Sequence, residues 1–353
     1  MQVYISKGIW TLFLSLVLLV TITPVLAAPN PVRALHFIVF NLSVADAKRL
    51  IDVASKEKFN TLILGMPWGN GLKLLSTPWI VPTKLTWQRD DLLEVVNYAH
   101  LKKMDVIPQL PLLSHQENLL ANSFPDLMFN SKTYDPRKER IFELVLPIID
   151  EIIELLHPKA IHIGHDEVIG WSEYFWRVGD LKPGQQILPP DLFLDEVNRL
   201  HTYLKKRNIE TWMWGDMLIA PEEFPTMSNG GDINGGDING SSLGYGQMLR
   251  QKIPKDIVIC DWHYNIRGQQ TDFPTLAAFK SEGFRVLGTT WRVKEAIVNF
   301  SHYAESNGAD GMIASTWILL GNKSNRVVNN WDNIEQLIRE SGEAFNRDFP
   351  DVI

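Results

Sequence analysis

Ala160-Ile161-His162-Ile163-Gly164 is a short aliphatic run, Leu192–Lys206 a helix-like stretch, and Glu210-Thr211-Trp212-Met213-Trp214 a second short run. Strand, helix and strand in that order build a parallel sheet whose face the helix covers. The alternation extends outward in both directions. Upstream runs are Leu35–Phe40, Thr61–Met66 and Asp105–Leu110, and downstream runs are Ile257–Asp261, Arg285–Thr289 and Gly311–Thr316. Helical patterns separate them: one opens with Ser43 as N-cap and runs to Lys58, and the others span Asp91–Lys103, Arg140–Leu156, Phe273–Glu282, Val293–Ser306 and Trp331–Phe345. Eight such units with no second composition zone predict an α/β fold, a single-domain (β/α)8 barrel over residues 29–353, rather than an open doubly wound sheet.

A barrel gathers its reactive groups at the carboxyl ends of its strands. Those ends carry Asn41, Pro67-Trp68, Ser114-His115, Asp166-Glu167, Trp214 with Asp216, Asp261-Trp262-His263-Tyr264, Thr290-Trp291 and Trp317. Acids and a histidine thus converge with several indoles. Sugars suit such a mouth, because their C–H faces stack on aromatic rings while their hydroxyls need charged or amide partners. Trp212 is assigned to the outside of the barrel. Trp291 reads either as a wall or as packing, His165 as a support beneath the site or an exposed residue, and Asp216 and Asp261 as hydroxyl ligands or helix caps.

The centre of this set is Asp166-Glu167, which directly follows a buried strand. Neighbouring carboxylates in a partly dry pocket resist double ionisation. A carboxylic acid kept protonated near neutral pH can protonate a glycosidic oxygen.

From His162 to Glu167 the chain reads His-x-Gly-x-Asp-Glu, and here it resembles the family-20 glycoside hydrolases, the β-N-acetylhexosaminidases. The resemblance continues along most of the barrel through Arg33-Ala34-Leu35-His36, Val106-Ile107-Pro108-Gln109 with Ser114-His115, Trp212-Met213-Trp214-Gly215-Asp216, Asp261-Trp262-His263-Tyr264 and Ser315-Thr316-Trp317. It implies an exo-acting enzyme in which the substrate's own 2-acetamido oxygen is the nucleophile. Glu167 is then the general acid and base, Asp166 orients the acetamido N–H, and His115 is the active-site histidine. Trp214, Trp262 and Trp317 wall the methyl pocket, Tyr264 hydrogen-bonds the acetamido oxygen, and Arg33 grips outer hydroxyls. Strand seven ends Gly288-Thr289-Thr290-Trp291 and offers no carboxylate nucleophile. The chain departs from the family's pattern in having no acid in Leu64-Gly65-Met66-Pro67, Gln109 in place of a glutamate, and no acid after Trp317.

Composition bounds the remaining choices. A net charge of -7 argues against nucleic acid and anionic membrane surfaces as partners. The lone Cys260 reads as a packed thiol. Residues 1–28, with Lys7, an apolar run from Ile9 to Val20, Pro24 and small residues at Ala27-Ala28, read as a secretory signal or an uncleaved anchor, so the protein is expected to be exported, secreted or periplasmic. The repeat Gly230-Gly231-Asp232-Ile233-Asn234, Gly235-Gly236-Asp237-Ile238-Asn239 reads as a loop after strand five. His36, His115, His162 and His263 are scattered, so no metal site and no cofactor are expected, and the expected partner is a glycan or amino-sugar substrate. A non-catalytic glycan-binding barrel is the alternative: it would keep the tryptophans and the arginine without needing the acid pair.

Overall fold

A computed structural model describes residues 30–66, 69–168, 184, 186, 188–220, 223–224, 245–266, 268–317 and 331–352. The leader reading at 1–28, Pro67-Trp68 and the repeat at 230–239 lie outside these residues. Eight parallel strands close in sequence order into a barrel: β1 Val32–Ile38, β2 Thr61–Gly65, β3 Asp105–Leu112, β4 Ala160–Gly164, β5 Glu210–Trp214, β6 Val258–Trp262, β7 Arg285–Thr290 and β8 Gly311–Ser315. The closing pair sets Val32 opposite Gly311 and His36 opposite Ser315. This is the (β/α)8 fold expected from the alternation.

Around it lie α1 Val44–Lys56, α2 Arg89–Leu101, α3 Glu139–Leu156, α4 Pro190–Lys205, α5 Gln247–Lys252, α6 Pro274–Ser281, α7 Lys294–Ser306 and α8 Trp331–Asp348. Ser43 caps α1 as its position suggests, its hydroxyl accepting the Asp46 N–H at 3.1 Å. The six-residue α5 escaped the sequence reading because a polar run of that length shows no 3.6-residue period. Among the described residues, no helix is long and apolar enough to cross a membrane.

β1 begins three residues earlier than the apolar pattern indicates. Its bounds follow pairing on both sides, Val32 with Gly311 and Ile38 with Gly65, whereas Val39 and Phe40 are apolar but lie past the strand. The shift places Arg33 near the amino end of the strand.

Strand residues alternate between lumen and helix layer. Ala34, Ile63, Ile107, Ala160, Trp212, Val258, Cys260, Leu287 and Ile313 pack together in one cluster with Trp214 and Trp262. Trp212 is therefore inside the barrel, contrary to the sequence assignment: residues two apart share a face, so 212 and 214 must point the same way, and the Trp212 indole N–H donates to Glu210 at 3.2 Å. Burial pushes the Cys260 thiol well above its ordinary range, so it is inert packing. Towards the carboxyl end the lumen turns polar. His36 Nδ1 lies 3.0 Å from Ser315 Oγ, and the Gly164 N–H donates to His162 Nδ1 at 3.1 Å. Burial lowers His36 to about 4 and His162 to about 3, so both imidazoles are neutral at ordinary pH.

Candidate active site

The mouth of the barrel holds a cavity of about 250 Å³ lined by His115, Asp166, Glu167, Trp214, Trp262, Tyr264, Trp291 and Trp317. Every one of these was named from the sequence. Two backbone irregularities create its acidic end. The register of β3 against β4 shifts between Gln109 and Leu112, and Gly164 fits against that bulge with φ of 77°. A Cβ at Gly164 would lie 2.8 Å from the Leu110 carbonyl, so only glycine lets β4 turn here.

The turn delivers Asp166 and Glu167 to the cavity, and the segment after β3 delivers His115. His115 Nε2 lies 3.2 Å from Asp166 Oδ2 and 3.2 Å from Glu167 Oε2. One imidazole nitrogen thus faces two carboxylates, each 11–13 % exposed at the side chain. His115 Nδ1 lies 3.9 Å from Glu117, a residue the sequence reading passed over although it sits two positions further on. Burial pushes the Glu117 carboxyl up, but hydrogen bonds from His115 and Lys132 outweigh it and hold it at about 2. Glu117 is thus an anion behind the histidine.

Aromatic rings close the rest of the cavity. Tyr264 stacks obliquely on Trp262 with centroids 4.8 Å apart and meets Trp291 edge-on at 5.6 Å. The Trp317 indole N–H donates to the Tyr264 hydroxyl at 2.8 Å, and Trp214 lies 5.8 Å from Trp317. Trp291 is a wall, pinned by its own N–H to the Thr316 carbonyl at 3.2 Å.

Three assigned residues are placed elsewhere. Arg33, expected to hold sugar hydroxyls, is buried near the amino end of β1, remote from the mouth. Its guanidinium donates to the carbonyls of Lys58 and Phe349 and to Asp351 at 2.6–3.0 Å, tying β1 to the chain's C-terminal segment. Asp261 lies on the outer face of β6, since Cys260 and Trp262 take the lumen; it accepts from Thr275 at 2.7 Å and lies 3.2 Å from His263. Asp216 is fully buried beneath the acid pair and accepts the Glu167 backbone N–H at 2.8 Å and the Trp262 indole N–H at 3.3 Å. None of the three lines the cavity.

His115, Asp166 and Glu167 offer donor atoms within 4.8 Å of one another, a set that could also close on a divalent cation. A single imidazole with two hard oxygen donors makes a weak cradle beside the histidine-rich sites that zinc enzymes use. The same three groups suit proton transfer, since His115 Nε2 lies within hydrogen-bonding range of each carboxylate.

Over residues 39–230 the chain matches the family described as Glycosyl hydrolase family 20, catalytic domain. It is 26% identical over 166 residues to Hexosaminidase D of Bos taurus, covering 43% of this chain and 44% of that protein. The chain thus spans less than half the length of this curated relative. A chitobiase of Flavobacterium johnsoniae superposes with a TM-score of 0.63 at 14% identity, over 90% of this chain and 48% of that one. A β-N-acetylhexosaminidase of Bacteroides fragilis superposes with a TM-score of 0.61 at 18% identity, over 88% and 65%. At such identities the superpositions speak for the fold alone.

Proposed function

The chain belongs to glycosyl hydrolase family 20, and from that premise we propose that it releases terminal β-linked N-acetylhexosamine from a glycan by a substrate-assisted, retaining mechanism. The observation that carries the reading is His115 Nε2 at 3.2 Å from both Asp166 and Glu167 inside an indole-walled cavity. Two carboxylates this close resist ionising together, which favours a state in which one of them keeps its proton. Glu167 gives that proton to the glycosidic oxygen as the C1–O bond breaks. The acetamido oxygen bonds to C1 in the same step, and the leaving alcohol departs neutral. Asp166, ionised, accepts the acetamido N–H and stabilises the positive charge that spreads onto the cyclised group. Glu167 then takes a proton from water as it attacks C1, which reopens the ring with overall retention.

The walls serve the same step. The Tyr264 oxygen accepts from Trp317, so its own proton is the one it can donate towards the acetamido oxygen. Trp214, Trp262 and Trp317 present apolar faces to the acetamido methyl and exclude water from the cyclised intermediate. Trp291 offers a stacking face to the sugar. Arg33 has no part in this scheme. Export, read from residues 1–28, is part of the same proposal and rests on sequence.

Comparing p-nitrophenyl N-acetyl-β-glucosaminide with the corresponding β-glucoside tests it. Cleavage of the first alone, blocked by a thiazoline mimic of the cyclised intermediate, is the expected result. Equal cleavage of both would rule out acetamido participation, and cleavage of neither would leave a binding barrel.

A further inference from the structure

His165 stands between β4 and the acid pair, and its side chain faces away from the cavity. It is fully buried, with φ of 70°, and Gly164 and Glu167 on either side also lie in the left-handed region at 77° and 50°. A turn that holds two non-glycine residues, His165 and Glu167, at positive φ persists only where its surroundings over-determine it. His165 Nδ1 is 2.9 Å from the Ile163 carbonyl. A carbonyl can only accept, so Nδ1 carries a hydrogen. Nε2 meets Glu196 Oε2 from α4, and the Tyr134 hydroxyl donates to Glu196 Oε1. Whichever atom holds it, one proton lies between Nε2 and Oε2, so the buried pair has no net charge.

Tyr134 joins this unit to the other half of the site. Its backbone N–H donates to the Leu113 carbonyl at 3.1 Å, and Leu113 precedes His115 by two residues, both with positive φ. Burial, then the neighbouring Glu196, pushes the Tyr134 phenol well above its ordinary range, so it stays a donor. Histidine, glutamate and tyrosine are exposed by at most 1 %. One buried unit therefore grips the turn bearing Asp166 and Glu167 and the turn bearing His115.

We propose that Tyr134, Glu196 and His165 form the positioning frame of the acid pair, setting Asp166 and Glu167 against His115 without touching substrate. The inference rests on the hydrolase reading above for its kinetic consequence only; its geometric content stands by itself. A displacement of the acids on the order of 1 Å would lower turnover about 10²-fold. Binding would suffer less, because the indole walls lie on other strands.

Glu196→Ala, Glu196→Gln and Tyr134→Phe, assayed on an aryl N-acetyl-β-glucosaminide and crystallised, test the frame. Glu196→Ala should lose about 10²-fold in kcat with KM changed by less than about threefold, and its crystal structure should show the 165–167 turn displaced. Glu196→Gln should keep most of the wild-type kcat, since an amide can donate to Nε2 and still accept from Tyr134. Tyr134→Phe should fall between them, and it serves if Glu196→Ala does not fold. Wild-type kcat in Glu196→Ala with the turn in place, equal loss in Glu196→Ala and Glu196→Gln, or a rise in KM alone would each overturn the frame. Should the wild type cleave no N-acetylhexosaminide, the hydrolase reading fails, and the turn's position in the Glu196→Ala crystal still decides the frame.

Discussion

The carboxylate of Asp216 accepts the backbone N–H of Glu167 at 2.8 Å. An acid at the end of β5 is thus engaged in holding the main chain of an acid at the end of β4. Its other oxygen takes the Trp262 indole N–H at 3.3 Å, so one buried carboxylate registers both the acid pair and a cavity wall. Charge-assisted hydrogen bonds of this kind are the strong ones.

Replacing Asp216 by Asn should therefore harm turnover more than binding. The amide oxygen can serve Glu167, but the amide NH2 then confronts the Trp262 N–H, donor against donor. We expect kcat to fall on the order of tenfold with little change in KM. Adding Trp262→Phe removes the conflict, so the double mutant should lose less than the product of the two single losses. A cycle of four kcat values checks this, and strict additivity would count against it.

Arg33→Ala separates stability from binding. The substitution leaves the Lys58 and Phe349 carbonyls without the donors that tie β1 to the C-terminal segment, which should cost roughly 1–3 kcal/mol. Thermal unfolding should show the loss while KM for an N-acetylhexosaminide stays put. A raised KM with unchanged melting would restore Arg33 to the sugar site.

Stability should fall on acidification below pH 6.5. His36 and His162 are held to about 4 and about 3 by burial, whereas unfolded histidines take up protons near 6.5. Between those values the unfolded chain binds more protons than the native one, so the two residues' stabilising effect, complete above pH 6.5, drains away as pH drops towards 4. Each accounts for on the order of 3 kcal/mol by then. Denaturant midpoints across pH 4–7 measure the slope, and His36→Gln should flatten it. A slope unchanged by His36→Gln would contradict the assignment.

The sequence carried much of this. Eight aliphatic runs separated by helical patterns suffice for the barrel, because strand order and closure follow from alternation and count. The eight cavity-lining residues were likewise visible, since each lies at or just past a strand end. What escaped was direction. Whether Asp261 looks at substrate or at protein depends on the pleat of β6, where a one-residue change in register reverses it, and Asp216 lies in the turn past β5, whose direction no alternation sets. Arg33 was assigned by family resemblance alone, and its place as the second residue of β1 sets it at the amino end of the barrel, away from the mouth. Long-range partners such as Glu196 have no local signature, standing 31 residues from His165 and meeting it only through packing of α4.

Most directly at stake is Glu167 as the proton donor to the leaving group. Its loss should matter most where the leaving alcohol is a poor one, so the decisive measurement is kcat of Glu167→Gln against wild type on N,N′-diacetylchitobiose. The expected result is a loss of about 10²–10⁴-fold, with a distinctly smaller loss on the p-nitrophenyl glycoside, whose leaving group needs little protonation. Equal rates for the two proteins on the disaccharide would contradict the assignment.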